Sequence, residues 1–553
     1  MTPTRPVLYR NGSVYSAADP FATAMLVDGD TVAWIGSEHA AESLADASMT
    51  VVDLAGALIT PGFVDSHVHT TETGLALESI DLSGCLSITD LLDRVAGAAR
   101  SGVQTVLGHG WDESSWPDRT VPTALQLDTA SGGKPVYLAR ADVHSAVVSG
   151  SLAAGLGLAH RDGWDNGFVV RDAHVAARLA SRNLDGAQRS TFQRAALRRA
   201  AANGIVAVAE MGAPHISPAA DLQALLHLGR DPQGEHLPEV LAYWGQAVTS
   251  AAELSEVTGM FGGRLAGLGG DLNVDGSIGS RTAALRQPYT DDGAQRGSVF
   301  LEADAVAAHL GAATSVGLQA GFHVIGDAGL DVVLHGLSLA AHAHGIEAVR
   351  KARHRLEHVE FADDEAIAQL VHFGITVSAQ PAFDARWGAA AGMYNQRVGG
   401  GRMTGMNPFA SFLAAGVPLC FGSDSPVTSL DPWATLRASV LHNNPAQRIS
   451  ARAAFIAHTR AGWRAVGTRH PLLGQLVPGA PASYAVWEVE ELMVQTADSR
   501  VQSWSTDPRA GTPLLPALDT GVDPLCLETV HQGQQLYRAD GFNESSSELR
   551  SAS

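Results

Sequence analysis

The chain has 553 residues and a formal net charge of −20, with 45% hydrophobic and 17% charged residues. That length exceeds what one core usually supports, so a large domain and at least one smaller one are expected. The acidity excludes nucleic acid and anionic membrane surfaces as partners.

The three cysteines, Cys85, Cys420 and Cys526, have no CxxC spacing, which excludes a disulfide framework or zinc knuckle and fits a reducing compartment. No apolar h-region follows the first charges, and no run reaches the length of a membrane span. A soluble cytoplasmic protein acting on a small molecule is therefore expected, with a homo-oligomer left open. Among the 37 basic residues only Lys134 and Lys351 are lysines.

Residues 7–58 alternate short β-type runs with turns, and Asn11-Gly12 and Asp28-Gly29 carry hairpin chemistry. Similar runs return at 474–487 and 526–537. Segments 1–58 and 474–540 are thus expected to form one composite β-sandwich, followed by a disordered polar tail, 541–553.

Between them, 59–473 repeats a short apolar strand followed by an Ala-rich helix. The candidate strands are 62–68, 204–210, 239–244, 269–275, 318–325, 353–359, 374–380 and 416–423. Eight strands alternating with helices predict an α/β fold, a (β/α)8 TIM-type barrel with its chemistry at the strand C-terminal ends. About 130 residues separate His69 from Gly204, too many for one βα loop. Residues 72–200 are therefore read as an inserted subdomain over the barrel mouth. The runs "HLGRDPQGEH" and "RVGGGRM" read as surface loops, and the glycines of the second do not make a phosphate loop.

In "DSHVH", His67 and His69 stand at i and i+2 of a strand and project from one face. Two neutral imidazoles together begin a tetrahedral metal site. His323, His358 and Asp424 close three further candidate strands. A lone strand-end histidine is more often a hydrogen-bonded core residue, but five His/Asp positions on strands 1, 5, 6 and 8 form a constellation.

With "PGFVDSHVH", "GWDESSW", "VDGSIGSRTAALRQPYTDDG", "HVIGDAGLD", "RLEHVEFADDE" and "GSDSPVTSLDPW", the chain resembles the amidohydrolase superfamily. The resemblance runs nearly end to end and is strongest to the branch of N-substituted formamide deformylase and the YtcJ-like proteins. It implies His67, His69, His323 and Asp424 as ligands of a divalent metal, with zinc favoured and one ion favoured over two. Asp424 would also carry protons, and His358 would hold a second metal or polarise the substrate. The implied reaction is cleavage of a non-peptide carbon–nitrogen bond, of amide or N-formyl type, by a metal-activated water. Hydrolytic deamination of a C=N centre is the alternative, and a non-catalytic metal- or ligand-binding barrel a more distant one.

The chain departs from the resemblance at one point. Related sequences commonly place a lysine, which can bridge two metals as a carbamate, four residues before the Asp-Gly pair matching Asp275-Gly276. Here that residue is Asp271. Asp271, or Glu210 at the end of strand 2, is left to bridge two metals or to orient a ligand. Trp111, Asp112, His144, Asp275 and Arg281 are candidates for the substrate pocket, with local packing or helix capping as their alternative roles.

Overall fold

Parallel strands buried on both faces read as continuous apolar runs, and "IVAVAEMG", buried at every position, is one of them. The computed structural model describes residues 5–228, 235–468, 470–495, 504–505 and 513–542. In it eight parallel strands form one sheet in sequential order: β1 (Phe63–Val68), β2 (Ile205–Gly212), β3 (Glu239–Trp244), β4 (Leu265–Leu268), β5 (Gln319–Val324), β6 (Arg355–His358), β7 (Thr376–Ala379) and β8 (Leu419–Phe421). Just past the end of β8, the Asp424 N–H donates to the His67 carbonyl at 2.8 Å, and the His69 N–H to that of Ser425 at 3.0 Å. These bonds nearly close the sheet into a TIM-type barrel, as the alternating pattern predicts.

The helices between strands have readable ends. Asp363 caps helix Asp364–Phe373 by accepting the Ala366 N–H, and the helix stops at Gly374 in the left-handed region. Strand 4 differs from expectation. It ends at Leu268, because Gly269 and Gly270 turn the chain with φ of 126° and 74°. A Cβ at Gly269 would lie 2.0 Å from the Gly321 carbonyl oxygen, so only glycine fits there. The turn leaves Asp271 in the loop beyond the strand.

A four-stranded sheet (Thr31–Gly36, Ala24–Asp28, Val7–Arg10, Thr50–Asp53) faces a five-stranded one drawn from both ends of the sequence (Ser13–Val14, Leu58–Pro61, Tyr484–Glu488, Leu525–His531, Gln534–Arg538). Their shared core includes Tyr9, Val27, Ile59, Val486 and Val530. Across 475 residues of sequence Tyr9 meets Tyr484 at 2.8 Å. Asp28-Gly29 does turn a hairpin, but the strands flanking Asn11-Gly12 belong to different sheets, so that turn is a crossing and not a hairpin. Of the expected disordered tail, residues 543–553 lie outside the described residues, as do 229–234 of "HLGRDPQGEH".

Between β1 and β2 the chain builds a separate six-stranded sheet, from Ile80–Asp81 to Phe168–Val169, with helices that include Ile88–Arg100 and Arg171–Ser181. "RVGGGRM" is not a surface loop. It falls in two short helices, and the buried Arg397 donates to the Gly279 carbonyl, Asp291 and Glu113 at 3.1, 2.6 and 2.7 Å. This arginine straps the inserted sheet to the loops of the barrel mouth. Among the described residues no helix is long and apolar enough to cross a membrane.

Candidate metal centre

His67, His69, Asp271, His323, His358 and Asp424 are all buried and converge at the C-terminal mouth of the barrel. The two imidazoles of β1 reach it by strand alternation. On β6 alternation alone would turn His358 away, since Arg355 and Glu357 already point into the barrel. The backbone corrects this with φ of 71° at His358 and 49° at Val359, and Asp424 has φ of 53°. Such left-handed non-glycine residues are costly and collect where surrounding structure over-determines them.

His67 Nε2 lies 3.5 Å from both Asp271 Oδ1 and Asp424 Oδ1. His69 Nε2 lies 3.1 Å from Asp271 and 3.2 Å from Asp424, and His323 Nδ1 is 3.6 Å from Asp271. Ligand atoms sharing one tetrahedral zinc stand about 3.3 Å apart, longer than the usual hydrogen bond. His67 Nε2, Asp271 Oδ1 and Asp424 Oδ1 are buried without a hydrogen-bond partner. Buried, orphaned lone pairs facing one another fit a cation, and the donor set of imidazole nitrogens and carboxylate oxygens suits a divalent metal. Burial alone would depress His69, but bonds to Asp271 and Asp424 outweigh it and hold its pKa up to about 10. A metal held here would take the place of that proton.

Three overlapping triads emerge: His67, His69 and Asp271; His67, His358 and Asp424; and Asp271, His323 and His358. Of the four expected ligands, His67 and His69 group with Asp271, His67 and Asp424 with His358, and His323 with Asp271 and His358, so no triad holds three of the four. Asp271, the residue at which the chain departs from related sequences, lies beside His67, His69 and His323. Glu210 instead accepts the Thr70 N–H at 2.7 Å, and burial raises its pKa to about 7. It anchors the start of a helix and belongs to none of the triads.

The supporting shell was not foreseen. His67 Nδ1 is 2.9 Å from Glu357, which Arg355 grips at 2.6 and 3.0 Å while also donating to the Ser66 carbonyl. His358 Nδ1 meets Gln380 Oε1 at 2.7 Å, and His323 Nε2 meets the Gly276 carbonyl at 3.2 Å. Each contact fixes a tautomer and leaves the other ring nitrogen as a lone pair facing the cluster.

The cluster opens into a cavity of about 470 Å³ between barrel and inserted sheet. Of the pocket candidates His144 reaches it, with its ring 5.0 Å from that of His323. The others do not. Trp111 is fully buried and donates to the Leu138 carbonyl at 2.9 Å, and Asp112 bonds Arg140 and Trp387. Arg281 pairs with Asp291. Asp275 accepts the N–H groups of Ala284, Ile325 and Gly326, while burial lifts its pKa to about 6. It clamps two backbone segments beneath the site. The cavity also receives His174, Arg178 and His215, which the sequence reading missed. His174 and Arg178 stand four residues apart on one helix, a spacing that puts them on one face. His215 follows the end of β2.

A sequence profile of the Amidohydrolase family matches residues 50–537. Protein LONG AFTER FAR-RED 3 of Arabidopsis thaliana is 25% identical over 518 residues, 87% of this chain and 86% of that protein. N-substituted formamide deformylase of Arthrobacter pascens is 24% identical over 78% of this chain and 83% of its own length. The crystal structure of an uncharacterized metal-dependent hydrolase from Pyrococcus furiosus superimposes with a TM-score of 0.66 and 26% identity, covering 87% of this chain and 98% of that one. Together with the buried His/Asp cluster, these similarities support a metal-dependent hydrolase. The chain belongs to the amidohydrolase family.

Proposed function

We propose that this chain hydrolyses a non-peptide carbon–nitrogen bond of amide or N-formyl type. The observation that carries the reading is the set of orphaned carboxylate and imidazole lone pairs lining a substrate-sized cavity. The similarity to an N-substituted formamide deformylase supports the choice of bond. A divalent metal bound there, with zinc favoured, supplies a Lewis acid and lowers the pKa of water.

The chain's own residues supply the rest. Asp424, on the cavity wall, takes a proton from the attacking water and hands it to the leaving nitrogen. Glu357 keeps His67 oriented, and Arg355 keeps Glu357 charged. Gln380 holds the proton of His358 on Nδ1, so its Nε2 is a bare lone pair. That suits a ligand better than a donor to the substrate oxygen. His67, His69, Asp271, His323, His358 and Asp424 would hold the metal, and Asp271, which belongs to two of the three triads, would be shared if a second ion joined the single one favoured from sequence.

The test is a panel of N-formyl and N-acyl amines, scored for released amine and acid, beside amino-substituted heterocycles scored for ammonia. Amine release that is abolished in Asp424→Asn supports the reading. Ammonia release from the heterocycles alone would transfer the site to hydrolytic deamination.

A further inference from the structure

Three histidines of the cluster present lone pairs to the site, because Glu357, Gln380 and the Gly276 carbonyl hold the far ring nitrogens of His67, His358 and His323. The Nε2 of the fourth, His69, faces Asp271 and Asp424. A carbonyl under attack gathers negative charge on its oxygen, and a preorganised N–H donor aimed there lowers the barrier directly. The cluster itself offers that oxygen no such donor.

The inserted segment does. Its strands Val136–Arg140 and Ala146–Val148 pair antiparallel, and the turn that joins them brings His144 to the barrel mouth. Several bonds hold this turn. Asp142 accepts the hydroxyls of Ser277 and Ser280, from a barrel loop, at 2.8 Å each, and lies 3.1 Å from Arg140. The Val143 carbonyl accepts from Arg178. Val143 itself has φ of 51°, a conformation that a β-branched residue adopts only where its surroundings impose it.

The turn sets the His144 ring 5.0 Å from that of His323, and among the described residues no group hydrogen-bonds it. His144 walls both the main cavity and a small recess shared with His323, His358 and Asp424, which His174, Arg178 and His215 do not reach. An imidazole carries at least one ring N–H whether or not it is protonated, so a donor is always present.

We infer that His144 is a catalytic residue whose ring N–H holds the oxygen of the carbonyl under attack, and that Asp142 positions it. The inference rests on the amide-hydrolase reading above. As the water oxygen bonds to the carbonyl carbon, the π pair moves onto the carbonyl oxygen, which His144 steadies while keeping its own proton. The pair returns as the C–N bond breaks, and the nitrogen leaves with the proton that Asp424 carries.

The test uses metal-loaded full-length protein and whichever N-formyl or N-acyl amine of the panel is turned over fastest. Beside it stands the matching phosphonate, whose tetrahedral phosphorus replaces the carbonyl carbon. His144→Ala should lower kcat by about 10²–10³-fold with KM little changed, and weaken phosphonate binding, read by calorimetry, by a comparable factor. Metal content and the circular dichroism spectrum should stay native. His144→Asn, which keeps an N–H donor, should recover part of the loss, and His144→Phe, which keeps only a ring, should not. Ser277→Ala with Ser280→Ala should lower kcat by a smaller factor at unchanged KM, because Asp142 is then released. Near-native kcat in His144→Ala or His144→Phe, or loss of metal from either, would overturn the inference and leave the amide-hydrolase reading in place. A native chain that cleaves no amide would remove that reading and this inference with it.

Discussion

The rim of the barrel and the helix of the inserted sheet face the same cavity but are held very differently. On the rim, His67 is fixed by Glu357, which is itself gripped twice by Arg355, and His358 by Gln380. Left-handed backbone at His358 and Asp424 aims both side chains at the cluster. On the helix Arg178 donates to the Val143 carbonyl and interacts electrostatically with Glu72. Where bond-making geometry must hold to a few tenths of an ångström the chain over-determines each side chain, and the helix of the cover is held by fewer bonds. Changes on the rim should therefore abolish chemistry, and changes in the helix or core of the cover should alter stability.

The largest expected effect is at the rim. Asp424→Asn should lower kcat by about 10²–10⁴-fold, the share of a positioned proton carrier, with the fold retained. Near-native kcat in that variant would remove Asp424 from the reaction. In the cover, Trp111→Ala should destabilise by about 3–5 kcal/mol, because it empties a fully buried indole site beside Trp116. If the surviving folded protein has also lost its metal, then rim and cover are not separable as argued.

A third effect belongs to the barrel alone. His354 accepts the Ala320 N–H on Nδ1 and meets Thr314 through Nε2, while His309 bridges the Val248 N–H and the Leu268 carbonyl. Burial holds their pKa values down, to about 3 and about 4. The unfolded chain takes up these protons first, so their contribution is complete above about pH 6.5 and is lost as pH falls toward those values. The unfolding free energy from urea titration should drop between pH 7 and pH 4 by roughly 3 kcal/mol per group, with the midpoint falling accordingly. A midpoint that stays flat across that range would contradict the assignment. The smallest effect expected is that of Glu357→Gln, about 10–100-fold weaker metal affinity by competition with a chelator, because His67 loses its charged partner. An unchanged affinity would mean that the network beneath His67 is packing only.

The barrel was largely legible because buried parallel strands write themselves as apolar runs, and the strand-end histidines because period-2 spacing places them at the mouth. Strand 4 slipped because "LAGLGG" is too small and uniform to mark its end, and the left-handed conformation of Gly270 is not written in its neighbours. Asn11-Gly12 failed for a related reason: the dipeptide specifies a bend but not which strands the bend joins. Asp271 was found only against the pattern of related sequences. Its contacts with His67 and His323 span too much chain for spacing to reveal. Glu357 was equally hidden, lying 290 residues from His67. Arg178 and His174 could have been noticed from their i, i+4 spacing.

Metal content per chain, measured by plasma mass spectrometry on native protein and on Asp271→Ala purified without chelators, tests the central claim most directly. The account predicts at least about one equivalent of a divalent transition metal in the native chain and its loss from the variant, since Asp271 stands in two of the three ligand triads. Native protein that carries no metal and takes up none, or an Asp271→Ala variant with native metal content, would contradict it.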